Sequence, residues 1–164
     1  PIIKYVVILM SNTGLRINEA ISLKLDDVDL KERVIHVIDG KGGKDRDVPI
    51  SEALVAELEY YLENVRPEVF SLYFFATQKT GRISQQYINR ELKETASKLG
   101  INKIVTSHVL RHTFASQLVK ADVHVSFIQR ILGHADVRTT SIYMHADQSD
   151  LQAAVNSLNM LSKE

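Results

Sequence analysis

The sequence predicts a mainly helical α+β domain with one small antiparallel sheet near its start. Apolar residues recur at helical spacing over most of the 164 residues. By contrast, residues 33–50 contain two short β-prone segments on either side of a glycine-rich turn, as in a β-hairpin. Hydrophobic residues make up 45% and charged residues 24%, a composition that supports one domain with a substantial core.

Two helices are predicted before the sheet. The apolar run at 2–11 stops at Asn12-Thr13-Gly14, where Gly14 suits a helix C-terminal cap. A second, short helix is predicted at 15–23.

The predicted hairpin has its strands at 33–38 and 46–50. Residues 39–45, with sequence DGKGGKD, contain three glycines and therefore form the predicted tip. A short strand or turn is expected at 72–75.

The rest of the chain is predicted to be helical. Ser51 caps a helix that runs to about Asn64, and Ser84 caps another that Gly100 terminates. Four further helical segments are predicted at about 107–120, 126–132, 137–145 and 149–161.

The composition also bears on location. No apolar run approaches the roughly 18 residues needed to cross a bilayer, and the start of the chain lacks the features of a signal peptide. The absence of cysteine is compatible with a reducing compartment, so we expect a cytoplasmic protein with no membrane partner. Because the sequence begins at Pro1 rather than Met, we expect a fragment of a longer protein.

Charge is balanced in total but unevenly distributed. Lys and Arg number 20, Asp and Glu number 20, and the pI is near 7.5, whereas DNA-binding proteins are usually basic. Residues 47–69 carry six acids against one base, and residues 98–145 carry six bases against two acids. A neutral total therefore permits one basic face.

The segment HVLRHTFASQL, which begins at His108, is the most informative predicted helix. Its core-facing stripe consists of Leu110, Phe114 and Leu118. His108 points away from this stripe and Arg111 lies at its edge, so the two can face one cleft or simply lie on a solvated surface. His108 and His112 also have zinc-ligand spacing, but the zincin glutamate and a third ligand are missing.

Two other segments offer charged groups. Arg16 follows the Gly14 turn, and Glu19 lies one turn later, which suits either a surface ion pair or a phosphate-binding arginine oriented by a carboxylate. Lys41 and Lys44 stand at the hairpin tip, which lacks the Walker phosphate-loop pattern. They are either solubilising residues or the source of one general acid.

The segment LGHADVRTTSIYMH contains His134 and, nine residues later, Tyr143. Taken alone, Tyr143 is more typical of packing than of chemistry. With two arginines, a hairpin lysine and histidines, it completes a set suited to phosphoryl transfer. The cationic groups would stabilise the pentavalent phosphorus transition state that forms when the tyrosine oxygen attacks a phosphate. Neither a serine or cysteine nucleophile elbow nor a glycosidase-type carboxylate pair is recognisable in the sequence.

Four segments together resemble the tyrosine recombinase (phage integrase) family in order and approximate spacing: TGLRINEAISL, GKGGKDRDVPI, HVLRHTFASQL and LGHADVRTTSIYMH. The resemblance implies the catalytic-domain fold of that family. It also implies its chemistry, in which a tyrosine attacks DNA, forms a 3′-phosphotyrosine and releases a 5′-hydroxyl before strand exchange. This chemistry needs neither a metal nor ATP, so we expect no cofactor.

The resemblance assigns roles by position. The catalytic residues that it implies are Arg16, Lys41, His108, Arg111, His134 and Tyr143. Tyr143 is the nucleophile, and Lys41 is the general acid toward the 5′ oxygen, with Lys44 as second candidate. Glu19 supports Arg16.

The resemblance also implies partners and domain organisation. Full-length relatives usually carry an N-terminal core-binding domain that no segment here matches, so residues 1–164 are predicted to be one catalytic domain. We expect a double-stranded DNA recombination site as partner, a homotetramer on that DNA, and a weakly binding monomer in isolation. The C-terminal segment either covers its own core or docks on a neighbouring protomer. A type IB topoisomerase and a catalytically silent DNA-binding module are the alternative functions.

Overall fold

Helices form most of the part of the chain that the computed structural model describes, which is residues 2–38, 45–133, 152–153 and 155–156. The helices are α1 (Ile2–Thr13), α2 (Ile17–Ser22), α3 (Glu52–Asn64), α4 (Gln85–Lys98), α5 (Ser107–Lys120) and α6 (Val125–Leu132). The strands are β1 (Val28–Asp29), β2 (Val34–Val37) and β3 (Arg46–Pro49), and a 3-10 turn (Leu25–Asp27) precedes β1. Residues 152–153 and 155–156 are also helical.

The predicted helix ends are confirmed by the capping contacts. The Ser51 hydroxyl accepts a hydrogen bond from the Leu54 amide, and the Ser84 hydroxyl accepts one from the Tyr87 amide, each at 3.2 Å. Gly14 ends α1 in the left-handed conformation, with φ of 67°. The predicted helix at 137–145 lies outside the described residues, as does most of the one at 149–161.

The sheet is antiparallel in the order β1-β2-β3. The predicted hairpin strands are confirmed as β2 and β3, which pair Ile35 with Val48 and Val37 with Arg46. The two-residue β1 is not predicted from the sequence, and at 72–75 the structure has a single bridge between Lys24 and Tyr73. Residues 39–44 of the hairpin tip lie outside the described part of the chain.

Helix α1 is central to the core and packs against α3 and α5. Beside it lies an aromatic cluster that consists of Tyr5, Tyr61, Phe74 and Phe75. Burial raises the pKa of Tyr61 to about 12, and its hydroxyl donates to the Phe74 carbonyl at 3.1 Å. This tyrosine is therefore a protonated core residue.

Helix α5 buries the face that the sequence predicts. Phe114 and Leu118 are fully buried, and Leu110 is partly buried. The same helix packs against α6, and α6 in turn contacts β3. The C-terminal ends of α1 and α6 both contact Arg111 of α5, and the start of β3 contacts the end of α6.

The described part of the C-terminal segment covers the core of its own chain. Val155 is buried in the core cluster, and the Gln152 amide donates to the Ile50 carbonyl at 2.9 Å. None of the described helices combines the length and the hydrophobicity that a membrane span requires.

We expect Gly14→Ala to destabilise the fold by about 2–4 kcal/mol, since it adds overpacking to backbone strain. A Cβ at Gly14 would lie 2.5 Å from side-chain atoms of both Phe114 and Leu132. Gly100→Ala is the matched control, because its φ is also 67° but no atom lies within 4 Å of the added Cβ. The control should lose only about 1 kcal/mol in urea unfolding. Equal losses in the two variants would show that the close approach at Gly14 costs nothing.

Candidate active site

Arg16 lies at the N-cap of α2 and is held there by Glu19. The Glu19 carboxylate accepts from the Arg16 backbone amide at 2.8 Å and from its guanidinium at 3.2 Å. The Arg16 side chain is 45% exposed, whereas that of Glu19 is 8% exposed. Arg16 therefore has an inner anchor and an outer, solvent-facing portion that can meet an anion.

Glu19 makes a second and more buried ion pair with Arg46, at the start of β3. Two guanidinium nitrogens of Arg46 donate to the two carboxylate oxygens, at 2.8 and 3.0 Å. The Nε of Arg46 donates to the Ile131 carbonyl of α6 at 2.9 Å. This bidentate pair therefore joins α2, β3 and the end of α6.

Arg111 connects α5 to the ends of two other helices. Its Nη1 donates to the Gly14 carbonyl at 2.6 Å, and its Nη2 donates to the Leu132 carbonyl at 2.8 Å. These two acceptors lie at the C-terminal ends of α1 and α6, where backbone carbonyls have no partner within the helix. Arg111 is thus fixed by backbone oxygens, and a guanidinium carries more N–H groups than these two bonds use.

The electrostatics place Arg111 in a cationic cluster. Burial, together with the positive charge of Arg16, lowers the pKa of Arg111 to about 10; Glu19 opposes this shift, and Arg46 adds to it. The cationic cluster thus consists of the guanidinium groups of Arg16, Arg46 and Arg111 around the single carboxylate of Glu19. An excess of positive charge that is partly shielded from water is an environment that attracts a phosphate.

His108 lies one turn before Arg111 and is exposed at the start of α5. The Thr106 hydroxyl caps this helix by accepting from the Val109 amide at 3.4 Å. The structure therefore brings His108 and Arg111 to the same end of α5. His112 is also exposed, and the described residues contain no group of three or more potential metal ligands.

The structure brings together part of the predicted site. Arg16, Glu19 and Arg111 meet around the ends of α1, α2 and α6. Lys41, Lys44, His134 and Tyr143 lie outside the described residues, so their roles stay predictions.

Arg46 is a member of this cluster that is not predicted from the sequence. The residue lies within the segment GKGGKDRDVPI, for which the sequence predicts only a strand at this position. Side chains alternate along a strand, so Arg46 shares its face with Val48, which is fully buried. A charged residue on the buried face of a predicted strand was the available signal.

Comparison with known proteins identifies the family of this chain. The phage integrase family profile matches residues 2–150. Tyrosine recombinase XerA of Pyrococcus furiosus is 36% identical over 159 residues, which cover 96% of this chain and 55% of that protein. The chain therefore belongs to the phage integrase family, and it spans about half the length of this curated relative.

Solved structures agree with the family assignment. The crystal structure of XerA recombinase matches with a TM-score of 0.70 at 36% identity, over 99% of this chain and 62% of that chain. The XerH site-specific recombinase bound to difH substrate, a pre-cleavage complex, matches with a TM-score of 0.69 at 29% identity. That match covers 87% of this chain and 42% of the XerH chain. The fold predicted from the sequence, a tyrosine recombinase catalytic-domain fold, is confirmed.

We expect Glu19→Gln to lower the unfolding free energy by about 3 kcal/mol at pH 7, because it leaves buried arginine charge uncompensated. Burial alone would raise the pKa of Glu19, but hydrogen bonds from Arg46 and the Arg16 amide, with both positive charges, lower it below the ordinary 4.5. The carboxylate therefore stabilises the fold above about pH 4.5, and this contribution is lost as the pH falls through the lower, folded-state pKa.

The difference between wild type and Glu19→Gln should consequently shrink on acidification, as measured by urea unfolding between pH 7 and about pH 3. Glu52→Gln is the control, because Glu52 pairs with Arg33 at 2.9 Å but is 78% exposed. Its loss should stay below about 1 kcal/mol. A Glu19→Gln deficit that is the same at every pH would contradict the assigned ionisation.

Proposed function

We propose that this chain is the catalytic domain of a tyrosine-type site-specific DNA recombinase. The observation that carries the proposal is the placement of Arg16 and Arg111 within the cationic cluster, where Glu19 holds Arg16 and backbone carbonyls hold Arg111. A fixed cluster of this kind stabilises the charge that develops on a phosphate under attack. Membership of the phage integrase family supports the same chemistry.

The two arginines would neutralise the non-bridging oxygens of the scissile phosphate. Arg16 is partly exposed beside its carboxylate, and Arg111 keeps N–H groups beyond the two bonded to Gly14 and Leu132. His108, exposed one turn from Arg111, would donate a hydrogen bond to the same phosphate. Each group interacts more strongly with the transition state than with the ground state, because negative charge accumulates on these oxygens.

Tyr143 would be the nucleophile. Its oxygen forms a bond to phosphorus as the bond between phosphorus and the 5′ oxygen breaks, which yields a 3′-phosphotyrosine. Lys41, or Lys44 in its place, would give a proton to the departing 5′ oxygen, and His134 would donate a second hydrogen bond to the phosphate. The 5′-hydroxyl of a partner strand then attacks the phosphotyrosine and releases the tyrosine. One phosphoester replaces another at each step, so no metal or ATP is required.

Double-stranded DNA would be the substrate, and the XerH neighbour is itself described as bound to its difH substrate. Strand exchange requires several active subunits, so we propose a homotetramer on DNA. Residues 152–153 and 155–156 pack on their own chain, so docking on a neighbour would involve the part of the C-terminal segment beyond them. Recombination is preferred over type IB topoisomerase activity because the XerA relative is a tyrosine recombinase. The charged groups of the cluster argue against a catalytically silent module.

The test uses full-length protein and a nicked suicide DNA that carries its recombination site. We expect a covalent protein–DNA adduct in denaturing gels. Cleavage releases the short fragment between the cleavage site and the nick, and religation is prevented because this fragment carries away the 5′-hydroxyl. Tyr143→Phe should abolish the adduct, since a phenylalanine has no oxygen to attack phosphorus. Tyr60→Phe is the matched control, because Tyr60 is 56% exposed on α3 and should leave the adduct unchanged.

An adduct in Tyr143→Phe would refute the nucleophile assignment. Transfer of the bound strand to the 5′-hydroxyl of a second duplex would support recombination. Relaxation of supercoiled plasmid without such transfer would instead indicate a type IB topoisomerase.

A further inference from the structure

Arg46 has no role in the mechanism described so far, yet its contacts are the most extensive in the cationic cluster. Its side chain is 9% exposed. All three guanidinium nitrogens donate within the protein, two to Glu19 and one to the Ile131 carbonyl. Because its donors are directed inward in this way, Arg46 is poorly placed to contact DNA.

The first consequence of these contacts concerns Arg16. The Glu19 carboxylate accepts hydrogen bonds from Nη1 and Nη2 of Arg46, and it also accepts from the Arg16 amide and guanidinium. A carboxylate accepts several hydrogen bonds at defined angles, so the two bonds from Arg46 fix its plane. The position of Arg16 is thereby set through Glu19.

The second consequence concerns the end of α6. Arg46 holds the Ile131 carbonyl, and the next carbonyl along the chain, that of Leu132, accepts from Arg111. The guanidinium also lies against Gly133, where an added Cβ would be 2.8 Å from the Arg46 Cζ. Arg46 therefore helps to fix the Leu132 carbonyl that anchors Arg111. The segment that it holds ends at Gly133, the residue before His134 in the sequence.

We propose that Arg46 is a positioning residue for DNA cleavage: by clamping Glu19 and the end of α6, it sets the places of Arg16 and Arg111 without touching the DNA. This inference rests on the proposed function. A lysine cannot take the place of Arg46, because a single ammonium group cannot reproduce the planar fork that reaches both Glu19 carboxylate oxygens and the Ile131 carbonyl.

The test measures single-turnover adduct formation at saturating suicide DNA, and separately the DNA dissociation constant, in full-length protein. We expect Arg46→Lys to slow adduct formation by about 10- to 100-fold, the effect of a small misplacement of catalytic groups. The dissociation constant should change by less than about threefold, because the lost interaction acts on the transition state. Arg46→Met should be slower still, and Arg46→Lys decides the question if Arg46→Met does not fold.

Arg33→Lys is the matched control, because Arg33 also pairs with a glutamate, Glu52, but on the surface. It should cleave at the wild-type rate. Melting curves establish that each variant is folded. If Arg46 only stabilised the fold, the rate of adduct formation per folded molecule would be unchanged in Arg46→Lys. A folded Arg46→Lys that cleaves at the wild-type rate, or one whose DNA affinity falls as much as its rate, overturns the inference alone. A wild-type protein that forms no adduct overturns the proposed function, and this inference with it.

Discussion

The ion pair between Glu19 and Arg46 is the interaction on which the candidate site depends. Removing two charges from water is costly, and the cost is offset only when the geometry is good and the remaining donors and acceptors are satisfied. Here both carboxylate oxygens and all three guanidinium nitrogens have partners. Three separate segments, α2, β3 and the end of α6, therefore meet at one point with little freedom to shift.

This arrangement explains how a small domain can hold several like charges together. Burial lowers the pKa of Arg111, and the positive charges of Arg16 and Arg46, which repel that of Arg111, lower it further. The carboxylate of Glu19 and the helix-end carbonyls counter that repulsion with hydrogen bonds directed at fixed angles. The inner contacts stabilise the cluster, and its partly exposed outer portion remains available to a phosphate.

Local signals made much of this fold predictable. Serine caps, a C-terminal glycine and hydrophobic periodicity placed the described helices and the hairpin within a few residues, because capping and amphipathic spacing act over one or two turns. The placements of Arg16, Glu19 and Arg111 followed from the same periodicity together with the family resemblance. The two-residue β1 escaped prediction because it is defined by pairing with β2 rather than by its own sequence. The strand pattern signals that Arg46 lies on a buried face, but it does not predict its partners, because they are 27 and 85 residues away.

A double-mutant cycle on the unfolding free energy at pH 7 tests the central claim most directly, with Glu19→Gln, Arg46→Met and the two combined. If the pair holds the cluster together, the double variant should lose less stability than the sum of the single losses. We expect a coupling free energy of at least about 1.5 kcal/mol, within the range for residues in direct contact. Losses that add to within about 0.5 kcal/mol would show that the two side chains act independently, and would contradict the account.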